Sequence, residues 1–340
     1  MFFFRSKKRA VAARINGEPI VVEPNETLLK AALRQGLEFP HHCRIGACAV
    51  CKCRLIEGQV KALTDSSYVL SDAEIAKGYI LACQCLPQTD VRIEIDRATG
   101  RRISGRVIGQ VRLTHDITEL RVQLDEQLPY KAGQFADISI ASLPGVQRSY
   151  SFATPSRPDG LVSFFVRKVP GGAFSSLIDG TDVIGQAVTV EGPKGGFWLR
   201  PAEAPLLFVA GGSGLAPILA ILEEAANAGV KRPASLLFGA REQNGLYALD
   251  TIREIASRWE GPFRFIPVLS NDAGNGPWLG DRGMVTALIP QALAHGAHAY
   301  LCGPPPMIDS AVNLLSQQGV PRDCIHADRF TPAYAAPATV

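Results

Sequence analysis

Six of the eight cysteines in this 340-residue chain, Cys43, Cys48, Cys51, Cys53, Cys83 and Cys85, fall in its first quarter, and Cys302 and Cys324 lie near the other end. Thiols clustered in a chain without an export signal argue for a metal or redox centre over disulfides. Cys43, Cys48 and Cys51 are spaced C-x4-C-x2-C. That spacing suits a 2Fe–2S cluster, where a compact loop supplies three thiolates and a distant cysteine the fourth. Here the fourth is Cys83 or Cys85. Gly46 lets the loop backbone approach the sulfides, and N–H groups aimed at the sulfurs tune the potential. Zinc sites favour paired C-x2-C units, and Cys48/Cys51 is the one such pair. His41 and His42 precede Cys43, but a full set of thiolates makes iron–sulfur the better reading.

Two glycine-rich runs carry a different chemistry. Gly211-Gly212-Ser213-Gly214-Leu215-Ala216-Pro217 follows a continuous apolar run and opens a helical pattern. Bare backbone there admits a pyrophosphate to helix N–H groups, and Pro217 suits the first turn. The run is not G-x-G-x-x-G, because Pro217 stands where the last glycine would be. Pro170-Gly171-Gly172-Ala173-Phe174-Ser175-Ser176-Leu177 repeats the logic, with glycines leading into a helix N-terminus. Taken alone, each is also compatible with a plain turn. Arg241 and Glu242 follow a strand where an adenine ribose should lie. The carboxylate suits a 2′-hydroxyl and the arginine a 2′-phosphate.

The elements that must hold these residues fall into three segments. Length allows two or three domains, and 46% hydrophobic with 20% charged residues describes a soluble globular chain. A net charge of +3 gives no argument for nucleic acid. Residues 1–12, with Met1 to Phe4 before a basic run, read as a frayed arm with a weak membrane-surface contact as the alternative. Residues 13–97 carry the cysteines, a hairpin turning at Asn16-Gly17, a short helix over 27–35 and a closing strand at Val91–Ile95. Residues 96–105 are polar and read as a linker. Residues 103–200 show short alternating runs such as 120–124, 135–140 and 187–191, which predicts an antiparallel barrel. Residues 203–330 alternate strands, at 205–210, 235–239 and 299–303, with helices, which predicts a parallel sheet. Residues 331–340 read as a disordered tail. No apolar stretch is long enough to span a membrane, so the cytoplasm is the expected location.

The order of cysteine segment, barrel and parallel sheet resembles the ferredoxin–NADP⁺ reductase superfamily. More closely, it resembles the reductase components of bacterial multicomponent mono- and dioxygenases, from about Arg14 to Phe330. The resemblance implies a plant-type ferredoxin domain with a β-grasp-like α+β fold, whose last ligand pattern Leu81-Ala82-Cys83 selects Cys83. Cys53 and Cys85 are then without an assigned role. Arg148-Ser149-Tyr150-Ser151 matches R-x-Y-[ST], which implies that Arg148 pairs with a flavin phosphate, Tyr150 packs on the isoalloxazine and Ser151 lies near N5. Gly171, Gly172 and Ser175 match the second phosphate loop, so two phosphate-handling elements imply FAD over FMN. Gly211, Gly212, Ser213, Gly214 and Pro217 match G-G-[ST]-G-x-[AST]-P. Cys302, Gly303 and Pro304 open C-G-P-x-x-M, where the cysteine aims nicotinamide C4 at the flavin. Phe330 resembles the C-terminal aromatic near the flavin.

The implied activity is hydride transfer from NADH, with NADPH the alternative, to FAD and onward one electron at a time through the cluster. The cofactors carry the chemistry, and the protein aligns them. The expected acceptor is another redox protein, an oxygenase component or its ferredoxin, docking transiently. Two alternatives stand beside it: a reductase for a deoxysugar dehydratase, and a non-enzymatic iron–sulfur carrier or sensor.

Overall fold

The computed structural model describes residues 9–41, 43–46, 49–66, 69–70, 72–95, 100–271 and 278–330. The chain divides into two compact units, residues 1–98 and 99–340. In the first, Asn16 and Gly17 take φ of 49° and 91°. That pair of positive angles closes a tight hairpin between β1 (Val11–Ile15) and β2 (Glu18–Val22). β1 thus begins inside the stretch expected as an arm, and Ala12 N–H donates to Asp90 at 2.8 Å. Helix α1 (Leu28–Arg34) starts at Thr27, whose hydroxyl accepts the Lys30 N–H at 3.3 Å. The buried carboxylate of Glu26 takes two hydrogen bonds from Arg34, at 2.9 and 2.8 Å, which hold its pKa below the usual range.

Strands β3 (Lys52–Glu57) and β4 (Val60–Ala62), helix α2 (Asp72–Ala76), and strands β5 (Tyr79–Leu81), β6 (Cys85–Pro87) and β7 (Val91–Glu94) complete this unit. The five-stranded sheet runs β2-β1-β7-β3-β5, and β4 pairs with β6. Leu28, Leu29, Ala31 and Ala32 of α1 share one core with Cys51 and Cys83. The helix therefore backs the segments that carry these two thiols.

The second unit opens with β8 (Arg101–Arg112), β9 (Ile117–Leu124), β10 (Phe135–Ile140), β11 (Gln147–Ser151), β12 (Leu161–Arg167), α3 (Ala173–Gly180) and β13 (Ala187–Lys194). The strands pair antiparallel in the order β11-β10-β13-β8-β9-β12. A bridge between Phe152 and Phe164 brings the two end strands together, so the sheet is a nearly closed barrel. Phe152, Phe164 and Phe174 fill its interior, each contributing roughly 1.5–3 kcal/mol of burial. Tyr130 stacks on Phe152 at 3.7 Å.

Residues 101–105, expected as linker, are instead the start of β8, pairing with β13 from Arg101↔Gly192 to Gly105↔Val188. Ile103, Gly105 and Val107 face inward while Arg102, Ser104 and Arg106 face solvent. Arg101 and Arg102 pair with Glu126 and Glu191 at 2.5 and 2.9 Å. The charges that suggested a linker are the outer face of a strand.

Beyond the barrel lie β14 (Leu206–Gly211), α4 (Leu215–Asn227), β15 (Ala234–Ala240), α5 (Leu249–Arg258), β16 (Phe263–Leu269), β17 (Asp281–Arg282), α6 (Ile289–Ala292), β18 (His298–Gly303), α7 (Pro305–Gln317) and β19 (Ile325–Arg329). They build a parallel sheet ordered β17-β16-β15-β14-β18-β19. Every residue of β14 is buried, as a strand covered on both faces requires. In the connection from the barrel, Trp198 lies under Lys131 at 3.5 Å and Arg200 at 3.6 Å.

At the N-terminal ends of these strands, His298 and His326 face one another at 6.1 Å, near Arg200 and Arg232, with Asp323 on the His298 side. Burial, reinforced by the two arginines and His298, pushes His326 down to about 3 from an ordinary 6.5. The unfolded chain therefore takes up this proton first, so the contribution of neutral His326 is full above pH 6.5 and is lost as pH falls towards 3. We expect the thermal midpoint of this domain to fall between pH 7 and pH 5, at up to about 1.4 kcal/mol per pH unit. His326→Gln should flatten that slope in a calorimetric pH series; an unchanged slope would assign it elsewhere.

Candidate functional site

The loop after α1 bends sharply: Arg44, Gly46 and Ala49 all sit in the left-handed region, at φ 57°, 79° and 58°. Two of these are not glycine, a conformation that costs about 1 kcal/mol or more each and persists only where surroundings impose it. The imposing contacts all fall on main-chain carbonyls. Lys52 N–H donates to Ala49 O at 3.0 Å, Ala82 N–H to Cys51 O at 3.0 Å, and Gln84 Nε2 to Arg44 O at 3.1 Å. Gly46 leaves no room for a side chain, since a Cβ there would lie 2.7 Å from Gln84 Cγ.

This packing brings Cys83 to the loop. Its thiol pKa is lowered, first by a hydrogen bond with the Cys51 thiol, then by the Gly46 N–H, while nearby Cys43 opposes the shift. Cys83 and Cys51 are buried, and Cys43 is partly exposed. Cys48 and His42 lie outside the described residues, among which no set of three metal-ligating side chains is already gathered. Three thiols with a main-chain donor on one sulfur nonetheless match the donor chemistry of an iron–sulfur cluster. His41 has both ring nitrogens engaged, with Phe39 O at 2.8 Å and Arg44 Nη2 at 2.9 Å. Cys53 and Cys85 are core residues. Burial pushes the Cys85 thiol up to about 11, which suits a small apolar side chain better than a thiolate.

In the barrel, Arg148, Tyr150 and Ser151 lie along β11 opposite β10. Tyr150 packs on Phe174 at 5.4 Å, and Ser151 is buried. The Pro170–Leu177 run is the loop into α3, with Gly171 at φ 73° and Gly172 at the helix cap. Ser175 holds this loop together: its hydroxyl accepts the Val169 N–H at 3.1 Å and donates to Gly172 O at 3.2 Å. Its hydroxyl is thus spent on the loop, leaving the first α3 amides as the donors for a phosphate.

In the parallel sheet, Gly211, Gly212, Ser213 and Gly214 form the turn between β14 and α4, and Pro217 lies in the first turn of α4. β18 lies directly beside it. A Cβ on Gly214 would meet Cys302 O at 2.2 Å, and one on Gly211 would meet Met307 Sδ at 2.6 Å. Cys302 is fully buried at the end of β18, and burial keeps its thiol neutral. Gly303 and Pro304 then lead into α7, and Phe330 N–H donates to Gly303 O at 2.9 Å. Arg241 and Glu242 lie exposed just past β15. Asn271 holds both, its N–H on Arg241 O at 2.8 Å and its amide 3.5 Å from the Glu242 carboxylate.

Two side chains from outside the glycine motif reach this turn. Tyr247 donates its hydroxyl to Gly212 O at 3.0 Å, and Arg167, paired with Asp116 at 2.8 Å, lies against Gly212. Tyr247 stands alone in a loop, and Asp116 in a β-turn, so neither has a neighbour pattern to announce it.

Residues 13–88 match the 2Fe-2S iron-sulfur cluster binding domain, 104–198 the oxidoreductase FAD-binding domain and 208–313 the oxidoreductase NAD-binding domain. The chain is 42% identical to the xylene/toluene monooxygenase electron transfer component XylA of Pseudomonas putida, over 96% of this chain and 95% of that one. It is 35% identical to the reductase component of propane 2-monooxygenase of Mycolicibacterium goodii, over 94% and 97%. It superposes on the ferredoxin reductase in carbazole 1,9a-dioxygenase with a TM-score of 0.67 and 30% identity, over 95% and 98%. The chain is therefore an NAD(P)H-dependent oxidoreductase of electron transport, built to use FAD and a 2Fe–2S cluster. It belongs to the electron-transfer reductase components of bacterial multicomponent oxygenases, within the ferredoxin–NADP⁺ reductase superfamily.

Proposed function

We propose that this chain draws reducing equivalents from NADH and delivers them singly to the monooxygenase component of a hydrocarbon-oxidising system in the cytoplasm, as its likeness to XylA suggests. The observation that carries the coenzyme half is the abutment of Gly214 on Cys302, which leaves a bare-backbone floor where strand ends meet. When bound, FAD accepts two electrons as hydride and releases them one at a time to the cluster. The protein supplies placement. The α3 N-terminus and Arg148 take the flavin phosphates, Tyr150 and Ser151 line the ring, and the Gly211–Gly214 amides take the coenzyme pyrophosphate. Cys302, buried and neutral, packs beside the nicotinamide and takes no proton. Phe330 covers the flavin from the C-terminal side. Domain limits near 13–97, 103–200 and 203–330 follow from this assignment.

For the cluster we propose Cys43, Cys48, Cys51 and Cys83 as ligands, supported by the C-x4-C-x2-C spacing and by the hydrogen bonds that bring the Cys83 thiol to Cys51 and to the Gly46 N–H of the loop. Cys83→Ser should abolish the reduced-cluster electron spin resonance signal, whereas Cys85→Ser should keep it; the opposite pattern would reassign the fourth ligand.

For the coenzyme, Glu242 supports NADH, because a carboxylate accepts from a ribose 2′-hydroxyl and repels a 2′-phosphate. Glu242→Gln should raise the NADH Michaelis constant several-fold and narrow the preference over NADPH. Initial-rate kinetics with both coenzymes test this, and a wild-type preference for NADPH would reverse the assignment.

A further inference from the structure

We infer that Tyr247 and the Arg167–Asp116 pair are positioning residues that together hold the Gly212–Ser213 peptide, so that coenzyme affinity is set partly from the flavin barrel. The inference deepens the proposed coenzyme site and rests on it.

Tyr247 follows the turn after β15 and is 4% exposed. Its ring is wedged edge-on between Phe165 of β12 at 5.5 Å and Phe238 of β15 at 5.6 Å. One side chain therefore touches the barrel, the parallel sheet and, through its hydroxyl, the glycine turn. The Gly212 carbonyl accepts that hydroxyl at 3.0 Å and also the Leu215 N–H. Both acceptor positions on this oxygen are then used.

A trans peptide is planar, with its C=O and N–H pointing in opposite directions. Anchoring Gly212 O at Tyr247 therefore turns the Ser213 N–H away from Tyr247. Gly212 itself is at φ +55°, and the Arg167 guanidinium lies 3.1 Å from where its Cβ would be. Arg167 is held towards Gly212 by Asp116, which accepts from its Nε at 2.8 Å and from Thr114 Oγ1 at 3.0 Å. The Gly212 carbonyl is thus held by a phenol, and a paired cation lies beside the Gly212 α-carbon, within electrostatic reach of that phenol. Rigid amides lose less conformational freedom when an anion binds.

The test uses the full holoprotein with FAD and cluster in place. Tyr247→Phe keeps the ring and removes the hydroxyl, and Asp116→Asn removes the charge that holds Arg167. Isothermal titration with NAD⁺ should show a dissociation constant raised about threefold to tenfold in each variant, the loss of one hydrogen bond. Flavin content, the cluster spectrum and the thermal midpoint should stay at wild-type values. In stopped-flow, the NADH concentration for half-maximal flavin reduction should rise while the limiting rate changes little. Wild-type affinity in both variants, or a loss of affinity that tracks a lowered thermal midpoint, would overturn the clamp. Failure of the wild-type protein itself to bind NAD⁺ would instead overturn the proposed coenzyme site.

Discussion

The coenzyme half of the molecule depends on two main chains approaching where a side chain cannot fit. At the ends of β14 and β18 the Gly214 α-carbon lies so close to the Cys302 carbonyl that a single methyl would collide with it at 2.2 Å. β14 is buried throughout because it lies inside the sheet and a parallel sheet is covered by helices on both faces. The close approach places a helix N-terminus, with its unpaired amides, at the edge of the same floor. The buried, neutral Cys302 follows from it too: a thiol enclosed this tightly has no solvent to stabilise its anion.

The cysteine loop obeys a related constraint by other means. Its three left-handed residues turn the backbone inward, and only one of them is glycine. The conformational cost is met by hydrogen bonds to the segment that carries Cys83, so loop and distant cysteine are folded as one piece. Cys53 and Cys85 lie in the same core as Cys51 and Cys83, and what sets the latter pair apart is the hydrogen bond between their thiols.

Features dictated by backbone demands were readable in advance. The cysteine spacing, the Asn16-Gly17 hairpin and the glycine turns announce themselves because few residue types satisfy those positions. Alternating strands such as β9 and β10 were readable by their period. The linker expectation at 101–105 failed because arginines on the outer face of β8 and a glycine on its inner face mask the alternation. Tyr247 and Asp116 were invisible for another reason. Tyr247 meets Gly212 across 35 positions and Arg167 meets Asp116 across 51, so their meaning exists only after the chain has folded. The same holds for His298 and His326, which are ordinary in sequence and unusual only between two arginines.

The barrel is shut by one bridge, Phe152 to Phe164, and Phe152 is the residue immediately after the Arg148–Ser151 stretch. The cylinder's seam therefore runs beside the strand assigned to the prosthetic group. The strand proposed to carry the flavin contacts is thus also one of the two whose pairing completes the cylinder, so a substitution there bears on closure as well as on binding.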